Sequence, residues 1–306
     1  MNILLIGAGA VGVFYASKLV AAGKANLTVL ARSDAPALAK NGGEYRIVEP
    51  DGEYAIRPRV LTSLDELDAP PDVLLVALKV NPSLDQAELC RPAVGPNTLI
   101  VIIENGIGNE EVFRRAFPGN EIMGCVAYLG AGRIAPAVVR RYDSGRLIGG
   151  AYPPGRPLSP LARRLAEDFR ASGVPFEETP NIVERRWIKL LWNAPYNTIC
   201  VLGRSADTVD VMACPETERL CADVMREVVR IAASEGVTLD PALIQKNLDF
   251  TRSFAAYKPS TLQDFEAGRP MEVEAILGAP LRVAGRNGVE APRMATLYAL
   301  MKLIMR

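Results

Sequence analysis

The feature that most constrains the fold is a set of closely spaced glycines behind the first apolar run. Residues 7–12 read GAGAVG, directly after NILLI and before a segment with helical patterning. Between a strand and a helix, such glycines allow a tight turn, close approach of the backbone to a pyrophosphate, and close packing of the helix on the strand. The free N–H groups at the helix start also favour phosphate. This segment is therefore predicted to bind a dinucleotide through Gly7, Ala8, Gly9, Ala10, Val11 and Gly12.

The remainder of the first half alternates apolar runs with helical patterns. The runs LTVLA, DVLLVALK and TLIVII follow NILLIG, and helical patterns occupy residues 13–22, 34–40 and 157–173. Short, continuously apolar runs are typical of parallel strands buried on both faces, and their alternation with helices indicates an α/β fold. Further strands that close the sheet are predicted within residues 118–131, 137–150 and 174–181.

The second half has helical periodicity throughout. In residues 216–236, Leu220, Val224, Val228 and Ile231 form one apolar stripe, and Gly236 follows as the expected C-cap. Further helices are predicted for residues 272–288 and 291–305, the latter with Pro292 in its first turn. The change in pattern predicts two domains, which comprise residues 1–180 and 181–306.

Composition excludes several classes of function. The chain has 35 basic and 35 acidic residues, so it lacks the basic surface that nucleic acids or anionic membranes require. The apolar start lacks the basic region of a signal peptide, and no apolar run reaches the roughly 18 residues of a membrane span. The five cysteines include no C-x-x-C pair, which argues against a disulfide framework or a thiolate metal site. A cytoplasmic protein without a metal site is expected.

The absence of histidine limits the possible chemistry. With no histidine in 306 residues, Ser-His-Asp and Cys-His catalysis are excluded, as are H-E-x-x-H metal sites. Proton transfer in an enzyme of this sequence would have to use lysine, carboxylate, tyrosine or cysteine side chains.

The end of the second predicted strand indicates which dinucleotide is bound. NAD sites normally have an aspartate or glutamate there, which accepts a hydrogen bond from the ribose 2′-hydroxyl. In LTVLARSD, Arg32 and Ser33 occupy this point, and an arginine can bind a 2′-phosphate with two parallel hydrogen bonds. Asp34 follows as a potential competitor, and the alternative for Arg32 is a solvated loop arginine. The pattern favours NADP(H).

A mostly apolar segment, RRWIKLLWNAPYN, carries polar residues at regular spacing. Lys189, Asn193 and Asn197 lie at i, i+4 and i+8, so a helix would place them on one face. Hydride transfer to a ketone leaves an alkoxide that needs a proton, and without histidine a lysine is the natural donor. The two amides could then bind a small polar substrate. The alternative is a lysine that extends to solvent beside two surface amides.

Two other segments contain polar residues in suggestive positions. Glu104, Asn105 and Gly106 end the apolar run TLIVII, and ligands bind at such strand ends in open α/β sheets. Ser260 and Glu272 belong to KPSTLQDFEAGRPMEVEAILG. Taken alone, Ser260 fits a helix-capping box with the residue three positions on, and Glu272 fits a favourable charge in a first helical turn.

Together these motifs resemble the ketopantoate reductase (2-dehydropantoate 2-reductase) family. The likeness covers GxGxxG, the LK at residues 78–79, the ENG at 104–106, WIKLLWNAPYN and PSTLQDFEAGRPMEVEAILG. It implies an N-terminal Rossmann-type dinucleotide-binding domain followed by an all-helical C-terminal domain similar to that of 6-phosphogluconate dehydrogenase, with the active site in the cleft. The implied activity is NADPH-dependent reduction of 2-dehydropantoate to pantoate in pantothenate and coenzyme A biosynthesis.

The resemblance also implies roles for individual residues. Lys189 would donate the proton, and Glu272 would contact the cofactor near the reacting centre. Asn105 would bind both cofactor and substrate. The remaining cofactor contacts would be Arg32, Lys79 and Ala131, and the remaining substrate contacts Asn193, Asn197 and Ser260.

Three positions depart from the family pattern. Glu104 replaces the usual Gln or His, Met271 the usual Thr, and Thr261 a frequent Met. These changes leave the reductase chemistry intact but bear on the substrate. A reductase of another small branched 2-keto acid is therefore a second hypothesis, and a non-catalytic NADP(H)-binding sensor is a third. The expected partner is a small 2-keto acid, and a homodimer is an arrangement that the sequence allows.

Overall fold

A computed structural model describes residues 1–81, 83–143, 145–253 and 255–306. The chain divides into two compact units, with the main division after Ile182, next to the predicted boundary. The first unit contains most of the chain up to that point. The second contains Val183–Arg306 together with Val80, Asn81 and Asn105–Gly108, and the sequence did not indicate these two short segments.

The first unit contains the strands. In chain order they are β1 (Asn2–Ile6), β2 (Asn26–Leu30), β3 (Tyr45–Glu49), β4 (Gly52–Ile56), β5 (Arg59–Leu61), β6 (Val73–Val76), β7 (Leu99–Ile103), β8 (Ile122–Tyr128), β9 (Ala131–Ala135), β10 (Val138–Arg141), β11 (Arg146–Tyr152) and β12 (Phe176–Glu178). The helices of this unit are α1 (Ala10–Ala21), α2 (Ala35–Lys40), α3 (Gln86–Cys90), α4 (Asn109–Ala116) and α5 (Pro160–Ala171).

The main sheet has the order β12-β11-β8-β7-β6-β1-β2-β5. The pairs from β5 through β8 are parallel, whereas β11 runs antiparallel to β8. The strand order reverses at β1, which has β2 on one side and β6 on the other. In open α/β sheets a ligand binds beyond the carboxyl ends of the strands at such a reversal.

A second sheet has the order β4-β3-β10-β9. The prediction that residues 137–150 close the main sheet is therefore wrong for β10, which pairs with β3 in parallel, and correct for β11. The sequence patterns did not predict β3, β4 or β5. Their pairing partners, apart from the β3–β4 hairpin, lie far away in the chain.

The main sheet is buried on both faces. Ile3 and Leu5 pack into one apolar cluster with Phe14 and Tyr15 of α1, whereas Leu4 and Ile6 join a separate cluster. Alternate side chains of a strand point to opposite faces, so a strand covered on both sides must be apolar throughout. The continuous apolar runs of the sequence have this cause.

The second unit is helical. It is formed by α6 (Ile182–Leu202), α7 (Thr208–Ala213), α8 (Pro215–Ser234), α9 (Ala242–Arg252), α10 (Ser260–Glu266), a π-helical segment (Glu274–Gly278), α11 (Ala279–Asn287) and α12 (Pro292–Ile304). The predicted stripe of α8 is buried, and Gly236 has the positive φ (77°) of a helix-terminating glycine. The predicted order of a dinucleotide-binding α/β domain and a helical domain is thus confirmed. Across the described residues, no helix combines the length and the apolar character needed to cross a membrane.

Candidate active site

The three glycines of the N-terminal motif differ in their surroundings. Gly7 has φ +100°, and a Cβ there would overlap the backbone of Ala77. A Cβ on Gly12 would lie 2.5 Å from the carbonyl oxygen of Gly7, whereas a Cβ on Gly9 would have no atom within 4 Å. The first and third glycines thus permit close packing, and the second leaves open space in front of the backbone where α1 begins. This arrangement fits the pyrophosphate of a dinucleotide.

Other predicted cofactor residues lie near the same sheet edge. Arg32 follows β2 and Lys79 follows β6, and both side chains are exposed. Because β2 and β6 flank β1 in parallel, their carboxyl ends lie beside the glycine turn. Ala131 begins β9, and β9 is joined to the turn after β2 by Arg133.

The carboxylate of Asp34, a potential competitor for the 2′-phosphate, is buried and paired. Asp34 is only 2% exposed and forms an ion pair and hydrogen bond with Arg133. Arg133 also donates a hydrogen bond from Nη1 to Ser33 Oγ at 3.1 Å. The contact of Arg133 with this turn was not predicted, since nothing in the local sequence pattern relates β9 to residues a hundred positions earlier.

In the second unit, three of the predicted site residues form one hydrogen-bonded chain. Lys189 Nζ donates to Asn105 Oδ1 at 2.8 Å, and Asn105 Nδ2 donates to Glu272 Oε2 at 2.9 Å. The other carboxylate oxygen of Glu272 accepts from the backbone N–H of Val80 at 3.2 Å. Each end of the Asn105 amide therefore has a partner that fixes its orientation. The helix predicted from Glu272 begins one residue later, at Val273, and the backbone carbonyl of Glu272 accepts from the N–H of Ile276 at 3.1 Å.

The segment that carries Asn105 is held by close backbone packing. Gly106 has φ +86°, and a Cβ on it would lie 2.5 Å from the carbonyl oxygen of Ala275 in the π-helical segment. The buried side chain of Arg186, three residues before Lys189 on α6, donates from Nη1 to the carbonyl oxygen of Gly106 at 3.4 Å. These contacts fix Asn105 beside Lys189. Arg186 was not among the predicted site residues, although its spacing places it on the same helix face as Lys189.

The surroundings of Lys189 make its ammonium a stronger acid than a lysine in water. Burial lowers its pKa most, the charge of Arg186 also lowers it, and Glu272 partly opposes both effects, so that the pKa falls from 10.5 to about 8. A general acid is most effective when its pKa lies near the working pH. Lys189 is therefore suited to donate a proton near neutral pH.

The two asparagines on the same face of α6 differ in their hydrogen bonding. Asn193 is 7% exposed, and its side chain has no hydrogen-bond partner among the residues described. Asn197 is 2% exposed, and its Oδ1 accepts from Ser260 Oγ at 3.3 Å and from the backbone N–H of Thr261 at 3.0 Å. Buried amides normally have all their partners, so Asn193 has hydrogen-bonding capacity available for a ligand.

Ser260 does not cap α10. Pro259 occupies the N-cap position, no side-chain capping bond is present there, and the Ser260 hydroxyl instead contacts Asn197. The helix-capping alternative for Ser260 is therefore wrong, and the serine lies beside the polar face of α6.

Two of the positions that depart from the family pattern are buried. Glu104 is 6% exposed; burial raises the pKa of the Cys90 thiol to about 12, and the charge of Glu104 contributes to that increase. Thr261 is 2% exposed, and Met271 is partly buried against the core of the second unit.

The α/β unit with its glycine turn, followed by a helical unit with a partly buried lysine among amides, defines an oxidoreductase that uses a nicotinamide dinucleotide. Family models agree with this class: Ketopantoate reductase PanE/ApbA matches residues 3–154, and Ketopantoate reductase PanE/ApbA C terminal matches residues 181–305. The chain belongs to the ketopantoate reductase family.

Individual relatives match over nearly the whole chain. The 2-dehydropantoate 2-reductase of Nostoc sp. is 31% identical, with 98% of this chain and 94% of that protein covered. The crystal structure of 2-dehydropantoate 2-reductase from Methylococcus capsulatus has a TM-score of 0.90 and 39% identity, and covers 100% of this chain and 97% of that one. The corresponding structure from Geobacter metallireducens has a TM-score of 0.91 and 32% identity, with 99% of each chain covered.

Proposed function

We propose that the protein catalyses the NADPH-dependent reduction of 2-dehydropantoate to pantoate, a step toward pantothenate and coenzyme A. The observation that carries this proposal is the hydrogen-bonded chain of Lys189, Asn105 and Glu272. It brings together a proton donor, an amide and a carboxylate from three separate parts of the sequence. The similarity to proteins named 2-dehydropantoate 2-reductase supports the same substrate.

Lys189 has the central role in the proposed reaction. Bound NADPH supplies the hydride to the keto carbon. The keto oxygen takes a proton from the Lys189 ammonium, which leaves a neutral amine that regains its proton from solvent. Asn105 holds Lys189 in position because its Oδ1 accepts a hydrogen bond from the ammonium, and Glu272 orients Asn105 because its carboxylate accepts a hydrogen bond from the amide nitrogen.

The polar face of α6 supplies the proposed substrate contacts. 2-Dehydropantoate carries a carboxylate, a keto group and a hydroxyl around a dimethyl carbon. The available amide of Asn193 can donate to the carboxylate, and the paired Asn197 and Ser260 can hydrogen-bond the hydroxyl. Asn193 and Asn197 are buried, which favours a ligand that satisfies their amides, whereas Ser260 is exposed.

The preference for NADPH is proposed from the turn after β2. The exposed guanidinium of Arg32 is available for a 2′-phosphate, and the only carboxylate in that turn, Asp34, is buried and paired with Arg133. Lys79 adds a second exposed cation at the same sheet edge. The glycine turn and Ala131 complete the proposed cofactor contacts.

The test is NADPH oxidation at 340 nm with purified protein and a panel of 2-keto acids, with NADH as the control. A kcat/KM for 2-dehydropantoate that exceeds the others by orders of magnitude is expected. Turnover restricted to another keto acid would show that 2-dehydropantoate is not the substrate, and Glu104 and Met271 would then be the residues to test for the changed specificity. No turnover on the whole panel would favour a sensor.

The role of Lys189 is tested by two substitutions. Lys189→Ala is expected to lower kcat at least about 100-fold, the low end of what a positioned acid contributes. Lys189→Arg keeps the positive charge but has a pKa too high for proton donation, so it is expected to be similarly impaired. Wild-type turnover in Lys189→Ala would exclude the proton-donor role, and full activity in Lys189→Arg would indicate that only the charge matters.

A further inference from the structure

Arg133 joins the second sheet to the turn that is proposed to hold the 2′-phosphate. It lies on β9 and is 29% exposed at its side chain, whereas its ion-pair partner Asp34 is 2% exposed. Its second guanidinium nitrogen donates to Ser33 Oγ at 3.1 Å. Tyr45 is buried beside the pair: burial and the charge of Asp34 raise the pKa of its hydroxyl, and Arg133 partly opposes that effect. One arginine thus contacts two consecutive residues of the turn.

The pairing changes the electrostatic character of the turn. An unpaired carboxylate next to Arg32 would oppose a phosphate and would offer the ribose 2′-hydroxyl an acceptor, as in an NAD site. The Arg133 guanidinium cancels that charge at contact distance, and burial limits screening by solvent. Ser33 Oγ accepts a hydrogen bond from Arg133, so the hydroxyl proton of Ser33 remains available to donate to an anion.

We propose that Arg133 is a specificity-determining residue that sets the preference for NADPH over NADH mainly by neutralising Asp34 and, to a smaller extent, by orienting Ser33. This inference rests on the proposed function, because it assigns the 2′-phosphate to the turn after β2. Arg133 acts through its two partners and is a positioning residue. Without it, Asp34 becomes the acceptor of an NAD-type site within an NADP-binding turn.

The test measures nucleotide binding in the absence of substrate, as dissociation constants for NADPH and NADH from fluorescence titration of the full chain. Arg133→Met, which keeps much of the side-chain length, is expected to weaken NADPH at least about tenfold and to leave NADH unchanged or tighter. Arg133→Lys keeps the charge beside Asp34 and is expected to retain most of the preference. The double variant Arg133→Met with Asp34→Asn removes both charges and is expected to bind NADPH within about threefold of wild type.

Three results would overturn the inference. These are equal weakening of both nucleotides by Arg133→Met, an unchanged preference in that variant, and a double variant that still binds NADPH tenfold more weakly than wild type. The last result would mean that Arg133 does not act through Asp34. The double variant contains no unpaired buried charge, so it keeps the test decisive if Arg133→Met fails to fold.

The proposed function and this inference fail in different ways. The ratio of the two dissociation constants in the wild-type protein tests the proposed NADPH preference. The change in that ratio between wild type and the Arg133 variants tests the inference, whatever the starting ratio is.

Discussion

Lys189 donates a hydrogen bond to Asn105 and lies one helical turn from the guanidinium of Arg186. The proposed reaction requires the protonated lysine, whose pKa is lowered from 10.5 to about 8 by burial and by Arg186, against the opposing charge of Glu272. Raising the pH through 8 therefore removes the proton that the keto oxygen needs. We expect kcat at saturating NADPH and keto acid to be constant below this pH and to fall about tenfold per unit well above it.

The charge of Arg186 can be tested through the same pH profile. Arg186→Met removes a positive charge that favours the neutral amine of Lys189. The fall of kcat at high pH is therefore expected to begin at a higher pH than in the wild type. Arg186→Lys keeps a positive charge at this position, so the pH at which kcat falls is expected to stay closer to the wild-type value. A wild-type kcat that stays constant up to pH 10 would argue against Lys189 as the acid. If Arg186→Met does not change the pH at which kcat falls, the role of Arg186 is structural only.

At the residue scale, the sequence indicated several residues of the proposed site but not the hydrogen bonds between them. The spacing on α6 singled out Lys189, and the strand end singled out Asn105. Arg186 was not predicted as a site residue because an arginine near the start of a helix usually faces solvent. Its contact with the Gly106 carbonyl distinguishes it from such a surface arginine. Arg133 and Asp34 meet across 99 positions of sequence, a relation that no local pattern encodes.

At the scale of elements, the turn after β7 depends on Gly106. Its φ of +86° disfavours any side chain, and a Cβ would lie 2.5 Å from the carbonyl oxygen of Ala275. We expect Gly106→Ala to displace Asn105 from Lys189 and to lower kcat at least tenfold. Gly108→Ala is a matched control, because Gly108 has a similar φ of +80° but no atom within 4 Å of the added Cβ.

The two alanine variants separate backbone strain from steric overlap. Strain alone costs about 1 kcal/mol and is common to both. Steady-state kinetics with thermal unfolding on each variant would show the difference, with Gly108→Ala expected to keep kcat within about threefold of wild type. Equal losses in kcat would mean that the contact with the π-helical segment does not position Asn105.

Helix α12 depends on a carboxylate from another helix. No side-chain cap is present at its N-cap, Ala291, and the buried carboxylate of Glu227 on α8 accepts from the backbone N–H groups of Arg293 at 3.0 Å and Met294 at 2.8 Å. We expect Glu227→Ala to destabilise the protein by about 1–3 kcal/mol, because it leaves two donors unsatisfied in a buried place.

The measurement for Glu227 is the unfolding midpoint by circular dichroism. Glu216→Ala, on the exposed first turn of the same helix, is the control and is expected to change the midpoint by much less. A midpoint for Glu227→Ala equal to that of the control would show that other groups satisfy the start of α12.

The elements that the sequence predicted least well belong to the second sheet. Residues 50–52 read Pro-Asp-Gly at the turn that joins β3 to β4, which is a hairpin signal, yet both strands mix polar and apolar residues and lack the apolar runs of the main sheet. The pairing of β3 with β10 joins residues some ninety positions apart, as at Arg46 and Val138. Long-range pairing of this kind depends on the assembled fold, whereas apolar runs and helix stripes are local.

At the scale of the whole molecule, each unit has its own apolar core, and the site residues are drawn from distant parts of the chain. Asn105 comes from the first half of the sequence but belongs to the second unit, where its amide lies between Lys189 and Glu272. The change from α/β to helical patterning predicted where the chain divides. The patterning could not predict that Asn105 belongs to the second unit, because the apolar run of β7 leads directly into the segment that contains it.

Cofactor binding should stabilise the folded chain as a whole. A ligand that binds only the folded state contributes about 2.7 kcal/mol at 100 times its Kd, and about 1.4 kcal/mol if its affinity is tenfold weaker at the same concentration. We therefore expect NADPH to raise the unfolding midpoint by several degrees, and NADH at the same concentration to raise it by about half as much. Differential scanning fluorimetry over a nucleotide concentration series would measure both.

The exposed guanidinium of Arg32 provides the discriminating variant for this comparison. Arg32→Ala removes the proposed 2′-phosphate contact but leaves the glycine turn that is proposed to bind the pyrophosphate common to both nucleotides. In this variant, the rise in the unfolding midpoint with NADPH should therefore fall toward the rise with NADH, while the rise with NADH stays unchanged. Equal wild-type shifts for the two nucleotides, or equal losses in Arg32→Ala, would mean that the turn after β2 does not read the 2′-phosphate, because a phosphate contact can affect only the nucleotide that carries it.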